Sequence, residues 1–280
     1  MNHKKLLAQG GTVHYWINQT EKDADCIVFT HGLTADHTMF AKQAAYFSPK
    51  YVTIFWDVPM HGLSRPYKNF SYDDTANILY DILQSEKIPK VILVGMSMGG
   101  YPSQHFAARY PDMVKGFVAL DTTPIGLQYY SKSDLWWLKQ AARMANWFPA
   151  ALLRTSMAWS VSKTHYSYQK MHAMLAPLSK SDIIEQMRIA YEYFARENKD
   201  IHFSFPVLIL VGDQDRTGKV KSYCQVWAKQ TGYTLHYIKN AKHFANGDNP
   251  KQVNREIEHF IESINNHYID TLHGAVHEKE

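Results

Sequence analysis

Residues 91–100 read VILVGMSMGG, and this stretch decides the fold more than any other part of the chain. Four consecutive apolar residues, Val91–Val94, are typical of a strand that is buried on both faces. The next five residues follow the pattern G-x-S-x-G, with Ser97 at its centre and a helix-compatible segment after it. A serine on such a sharp strand-to-helix turn projects its hydroxyl from the end of the strand. The pattern therefore predicts that Ser97 is a nucleophile.

Strands and helices alternate on both sides of this stretch. Further short apolar or alternating runs predict strands at Thr12–Ile17, Ile27–Thr30, Val52–Trp56, Phe117–Leu120, Val207–Val211 and Thr234–Ile238. Amphipathic segments predict helices at Tyr72–Glu86, Gly100–Tyr110, Val220–Gln230 and Lys251–His267. This alternation is typical of βαβ units, so we expect an α/β fold with a mostly parallel sheet.

The alternation is interrupted between Pro124 and Ser204, where no segment has the pattern of a strand. Four helices are predicted there, over residues 131–147, 149–159, 164–175 and 181–196. We therefore predict an α/β core formed by residues 1–123 and 205–280, and a helical cap of residues 124–204 inserted into it. The insertion is rich in Trp, Tyr and Met, and its candidates for lining a substrate pocket are Trp136, Trp137 and Trp159. Such side chains can also simply pack an insertion onto its core.

A serine hydroxyl needs a neighbouring base before it becomes a good nucleophile. His243 lies in NAKHFANGDNP, between the last predicted strand and the last predicted helix. Where the serine sits on a strand-to-helix turn of a parallel sheet, the chain order is serine, acid, histidine. We therefore predict that His243 is the general base.

The acidic partner is expected after a strand between Ser97 and His243. The segment PVLILVGDQDR offers Asp213 and Asp215, and Asp121 follows an earlier strand. Asp213 is nearest the strand and is predicted to support the turn, whereas Asp215 lies further out, where it can reach the imidazole. Asp215 is our choice, with Asp213 and Asp121 as the alternatives.

Two backbone N–H groups usually hold the negatively charged oxygen of the acyl-transfer intermediate. One comes from the residue after the nucleophile and the other from an earlier strand–helix loop. Here these are Met98 and Leu33. We interpret His31 and Asp57, which follow neighbouring strands, as residues that hold loops in place.

Composition excludes several classes of function. The chain has 30 basic and 26 acidic residues without a basic run, which does not indicate a nucleic-acid partner. It has two isolated cysteines, no secretory signal pattern and no apolar stretch of membrane-spanning length, so we expect a cytoplasmic protein. His31, His37 and His61 do not follow a metal-ligand spacing, and no metal is expected.

Taken together, these residues resemble the α/β-hydrolase fold superfamily, in particular its esterases and monoacylglycerol-lipase-like serine hydrolases. The positions that carry the resemblance are His31-Gly32, Asp57, His61-Gly62, Ser64, Gly95–Gly99, Gly212, Asp215 and His243. The resemblance implies an eight-stranded, mostly parallel sheet flanked by helices, a helical cap over the active site and a mechanism without a cofactor.

The expected activity is hydrolysis of a small-molecule carboxylic ester through an acyl-enzyme. Two alternatives stay open. The same three side chains can cleave carbon–carbon or thioester bonds, and the same fold can serve as a non-catalytic ligand-binding module.

Overall fold

The computed structural model describes residues 1–19 and 24–277. Eight strands form one sheet in the described residues; numbered β1 to β8, they are Asn2–Ala8, Gly11–Asn18, Cys26–Thr30, Val52–Trp56, Val91–Met96, Val114–Leu120, Val207–Gly212 and Thr234–Ile238. The α-helices of the same residues, numbered α1 to α10, are Ala41–Phe47, Tyr72–Ser85, Gly100–Arg109, Lys132–Ala145, Ala150–Val161, His165–Leu175, Lys180–Arg196, Val220–Thr231, Ala245–Asp248 and Pro250–His277.

The strands lie in the order β1-β2-β4-β3-β5-β6-β7-β8. β1 and β2 pair antiparallel, as do β2 and β4, and all the other neighbours are parallel. The predicted α/β fold with a mostly parallel sheet is therefore confirmed. Because β5 is an interior strand, the turn that carries Ser97 lies at the carboxyl edge of the sheet among the ends of β3, β6 and β7.

The core lies on both faces of the sheet, because successive strand residues point in opposite directions. In β5, Ile92 belongs to one buried cluster and Leu93 to the other. Helices α2, α3 and α8 cover the face of Leu93, and α1 and α10 cover the face of Ile92; their buried residues include Leu79, Phe106, Trp227, Phe47 and Ile257. Burial on both faces explains why these strands are apolar runs rather than alternating sequences.

Four helices, α4 to α7, lie between β6 and β7, and we call residues 124–204 the helical insertion. Their ends lie within a few residues of the four helices that the sequence predicts for this interval. That residues 124–204 form a cap distinct from the core remains a prediction. Residues 20–23 and 278–280, which belong to the predicted core segments, lie outside the described residues. Glu197, just after α7, joins the insertion to the core by accepting hydrogen bonds from the N–H groups of Tyr72 and Asp73 at the start of α2 (2.8 and 3.1 Å).

Three of the numbered elements were missing from the sequence interpretation: β1, α1 and the four-residue α9. Strand β1 pairs with β2 along its whole length, yet its sequence NHKKLLA contains no β-branched residue. It lies at the edge of the sheet and is mostly exposed, so few apolar residues are needed there. Helix α1 has only seven residues, which is too short for a clear apolar stripe.

Helix α10 is longer than the predicted Lys251–His267 and spans 28 residues. Val253, Ile257 and Ile261 are buried at helical spacing, which packs one side of α10 against the sheet. Among the described helices, including α10, none combines the length and the apolar character that crossing a bilayer requires.

Candidate active site

The turn after β5 holds Ser97 in an unusual backbone conformation. Its φ is +52°, a left-handed value that costs energy for a residue with a side chain. Neighbouring atoms leave no room for side chains at the two flanking glycines: a Cβ on Gly95 would lie 2.6 Å from the Cα of Gly100, and one on Gly99 would overlap the carbonyl oxygen of Thr30. The glycines of the G-x-S-x-G pattern therefore permit the close approach of helix and strands that exposes Ser97.

In the folded chain the side chain of His243 lies between those of Ser97 and Asp215. The Ser97 hydroxyl is 2.7 Å from His243 Nε2, and His243 Nδ1 is 2.9 Å from Asp215 Oδ2. With the imidazole proton on Nδ1, the ring donates to the carboxylate and accepts from the hydroxyl. The structure thus brings Ser97 together with Asp215 and His243, both of which lie more than a hundred residues further along the chain.

The Asp215 carboxylate is buried and held from two sides. Its Oδ2 faces His243, and its Oδ1 accepts a hydrogen bond from the Thr217 N–H at 2.7 Å. Burial acts to raise the pKa of Asp215, but the His243 ring and the Thr217 contacts outweigh it and leave the pKa below its usual value. Asp215 is therefore ionised at neutral pH, as a group that stabilises an imidazolium must be.

The two alternative aspartates have other partners. Asp213 Oδ1 accepts from the Ala241 N–H at 3.3 Å, which supports the turn after β7. Asp121 Oδ1 accepts from the Gly212 N–H at 2.8 Å, while its Oδ2 is buried and has no partner in the described part of the chain. Burial, together with the nearby charge of Asp215, raises the pKa of Asp121 well above its usual value. Both effects favour the protonated form of Asp121, which lies behind the Asp215–His243 pair.

The raised pKa of Asp121 and the lowered pKa of Asp215 predict a testable difference between the two aspartates. We expect Asp121→Asn to reduce kcat/KM for an ester by less than about tenfold, because the amide has the shape and charge of the protonated acid. Steady-state kinetics of purified Asp121→Asn at neutral pH measures this. A loss of about 10⁴-fold, which is typical when the acid of a catalytic triad is removed, would show that the charge of Asp121 is needed.

The two predicted oxyanion donors lie beside the serine. Met98 directly follows Ser97, and Leu33 lies in the loop after β3, where a Cβ on Gly32 would be only 3.3 Å from the Ser97 Cβ. The Leu33 N–H donates to no acceptor among the described residues.

His31 and Asp57 hold the loops around this site. His31 Nε2 accepts from the Val58 N–H at 3.0 Å, and burial lowers the pKa of its ring, so the imidazole is neutral. Asp57 accepts hydrogen bonds from the N–H of His37 and the N–H of Leu63 at 2.8 and 2.7 Å. Both side chains connect strand ends to loop backbone, as the sequence interpretation proposed.

A cavity of about 240 Å³ opens above Ser97 and His243. Five methionines supply much of its wall, two from the core and three from the helical insertion: Met39, Met96, Met157, Met171 and Met187. Among the residues that the structure describes, those lining this cavity include no Lys, Arg, Asp or Glu. The sequence analysis noted the Met-rich insertion but did not predict that Met39 and Met96 line the cavity. For Met96, its position next to Ser97 in the turn would have indicated this.

The three tryptophans that the sequence offered as pocket candidates are placed elsewhere. Trp136, Trp137 and Trp159 are 55%, 58% and 69% exposed, and none of them lines the cavity. The tryptophan content of the insertion therefore did not predict the direction in which these side chains point. In α5 the neighbours Met157 and Ser160 reach the cavity instead.

Asp248 connects the loop of His243 to the helical insertion and was also missed by sequence reasoning. Its carboxylate accepts hydrogen bonds from the N–H groups of Lys163 and Thr164, before α6, and of Lys242 (2.8 to 3.0 Å). The residue next to His243 is thus fixed to the joint between two insertion helices. Nothing in the local sequence NGDNP distinguishes this role from an ordinary turn.

Two groups of potential metal-ligating side chains occur in the described residues, Asp121–Asp215–His243 and Asp73–His105–Glu197. The first is the site described above. In the second, Asp73 pairs with His105 and with Lys199 at 2.9 Å each, while Glu197 accepts two backbone N–H groups. These contacts show that the second group connects the helical insertion to α2.

Known proteins share this architecture. A family model described as the alpha/beta hydrolase fold matches residues 25–250. The chain is 25% identical to the 2-(acetamidomethylene)succinate hydrolase of Mesorhizobium japonicum, over 88% of this chain and 92% of that protein. It is 23% identical to the 3-oxoadipate enol-lactonase 2 of Acinetobacter baylyi, over 93% and 97%. A thermophilic esterase from Thermogutta terrifontis superposes with a TM-score of 0.74 at 20% identity, over 94% and 99%.

Proposed function

Because the chain belongs to the α/β-hydrolase fold family, we propose that it is a serine hydrolase that cleaves carboxylic esters through an acyl-enzyme. The observation that carries this proposal is the hydrogen-bonded series Ser97–His243–Asp215, with N···O distances of 2.7 and 2.9 Å. A nucleophile, a base and a group that orients the base are the parts that acyl transfer requires. The names of the relatives, hydrolases and lactonases, agree with this class of reaction.

In the proposed mechanism, the Ser97 oxygen attacks the ester carbonyl while His243 Nε2 takes the hydroxyl proton. Asp215 stabilises the resulting imidazolium through Nδ1–H. The N–H groups of Leu33 and Met98 donate to the oxygen that becomes negatively charged. His243 then returns the proton to the leaving alcohol, and the acyl group stays on Ser97. A water molecule, deprotonated by His243, then attacks the acyl carbonyl. The bond between the acyl carbon and the Ser97 oxygen breaks, His243 gives its proton to that oxygen, and the acid is released.

We propose further that the helical insertion acts as a cap that forms the acyl pocket. Support comes from the cavity above Ser97, whose wall combines core residues with Met157, Met171 and Met187 of the insertion. Methionine side chains are flexible and apolar, which suits acyl groups of varied shape. The names of the two curated relatives denote carboxylate-bearing substrates. The described residues that line the cavity of this chain include no Lys or Arg that could pair with a carboxylate.

A matched pair of substrates tests this specificity. We expect kcat/KM to be at least about tenfold higher for a p-nitrophenyl ester with a plain medium-length acyl chain than for one whose chain of equal length ends in a carboxylate. The reason is that burying an unpaired charge costs several kcal/mol. The measurement is release of p-nitrophenol across a series of acyl lengths with both end groups.

The same assay separates the alternative reactions. Thioesters and an activated carbon–carbon hydrolase substrate are run beside the ester series. Higher kcat/KM on either class would overturn the ester assignment, and preference for the carboxylate-ended chains would overturn the apolar pocket.

A further inference from the structure

Large apolar side chains are exposed mainly on the helical insertion. Seven of the thirteen exposed ones in the described part of the chain lie between residues 136 and 159; they are Trp136, Trp137, Met144, Trp147, Phe148, Leu152 and Trp159. Four of the seven tryptophans of the protein are in this group, with exposures from 55% to 82%. A concentration of exposed apolar side chains marks a surface that binds something.

These side chains lie on α4, on the turn that follows it and on α5. On α4, Trp137 and Met144 are seven residues apart, which places them on one stripe, and Trp147 lies in the turn after the helix. On α5, Leu152 and Trp159 are again seven residues apart. We call the seven exposed residues named above, which lie between positions 136 and 159, the tryptophan face.

The net positive charge of the protein comes from the same segment. Residues 132–163 contain five of the 30 basic residues of the chain and one of its 26 acidic residues. The rest of the chain therefore has equal numbers of basic and acidic residues. The one acidic residue, Asp134, is bound by Lys219 and Tyr223 at 2.7 and 2.6 Å. Lys242 adds a further cation 4.5 Å from the centre of the Trp159 ring. The formal net charge of +4 thus comes from this segment.

We propose that the tryptophan face docks the enzyme on an anionic phospholipid bilayer. Tryptophan prefers the interface between headgroups and hydrocarbon, and basic residues beside it are attracted to anionic headgroups. A second copy of the chain fits less well, because a symmetric dimer would place the same basic helices against each other. This inference does not depend on the proposed reaction.

The cavity above Ser97 lies next to the tryptophan face. Ser160 is exposed and also lines the cavity above Ser97, and it directly follows Trp159 of the tryptophan face. Docking through α5 therefore brings the mouth of the cavity to the lipid surface, where apolar esters accumulate.

Co-sedimentation with vesicles tests the proposal. We expect the full chain to bind vesicles of phosphatidylcholine mixed with phosphatidylglycerol, to bind pure phosphatidylcholine vesicles much less, and to dissociate as salt rises. Trp137→Ser combined with Trp147→Ser should weaken binding by about tenfold or more, and Arg143→Gln by about fivefold. Because all three side chains are exposed, circular dichroism should show unchanged folding.

Two control variants separate docking from other effects. Leu7→Ser changes an equally exposed apolar residue on β1, 86% exposed, and should bind like the unmodified chain. Ser97→Ala should also bind normally, so failure of the proposed reaction would not affect this result. The proposal is overturned if the protein binds neither type of vesicle, if the double tryptophan variant binds as well as the unmodified chain, or if the tryptophans are needed only for a dimer seen by analytical ultracentrifugation.

Discussion

Ser97→Ala is expected to lower kcat for an activated ester by about 10⁴- to 10⁶-fold, the largest effect of any substitution considered for this chain. The substitution removes the atom that forms the acyl-enzyme, while His243 and the oxyanion donors stay in place. Binding is expected to change little, because the cavity wall is otherwise intact. Steady-state and burst kinetics with a p-nitrophenyl ester measure both quantities.

Ser160→Ala is the matched control for this prediction. Ser160 lines the same cavity, but within the described part of the chain its hydroxyl donates to the Met157 carbonyl oxygen of its own helix (2.9 Å) and not to His243. We expect its variant to keep nearly full activity. If Ser97→Ala keeps the turnover of the unmodified enzyme, Ser97 is not the nucleophile, whatever the geometry around it.

Asp215→Asn is expected to lower kcat by about 10⁴-fold. An amide in place of the carboxylate cannot stabilise the imidazolium, and it favours the wrong tautomer of His243. Asp213→Asn, two residues away in the same loop, should cost far less, because the Asp213 carboxylate does not contact His243 in the described structure and accepts a hydrogen bond of 3.3 Å from the Ala241 N–H. Kinetics of the two variants under identical conditions make the comparison.

Two outcomes of this comparison would contradict the assignment of Asp215 as the acid. Equal losses in Asp213→Asn and Asp215→Asn would indicate that both substitutions disturb the loop rather than the reaction. Full activity of Asp215→Asn together with a large loss in Asp121→Asn would move the acidic role to the end of β6.

Much of the fold could be predicted because the central strands are buried on both faces. This burial requires apolar runs such as Val91–Val94 and Val207–Val211, which are recognisable without any tertiary information. The positions of Ser97, Asp215 and His243 could be predicted for a related reason. All three follow strands of one sheet, and the carboxyl ends of parallel strands meet at one edge.

The remaining features depend on tertiary contacts that the local sequence does not encode. Edge strand β1 needs no apolar pattern, since most of its side chains face solvent. Trp136 and Trp159 are apolar, yet their exposure depends on which side of α4 and α5 packs on the core. The role of Asp248 arises only where the insertion meets the loop of His243.

The central claim is that His243 activates Ser97, and labelling with a fluorophosphonate tests it most directly, because this reagent modifies only an activated serine. The modified residue is identified by tandem mass spectrometry of the digested protein. The account predicts one adduct, on Ser97, whose formation is lost in His243→Ala. An unlabelled protein, an adduct on another serine, or labelling of Ser97 at an unchanged rate in His243→Ala would contradict it.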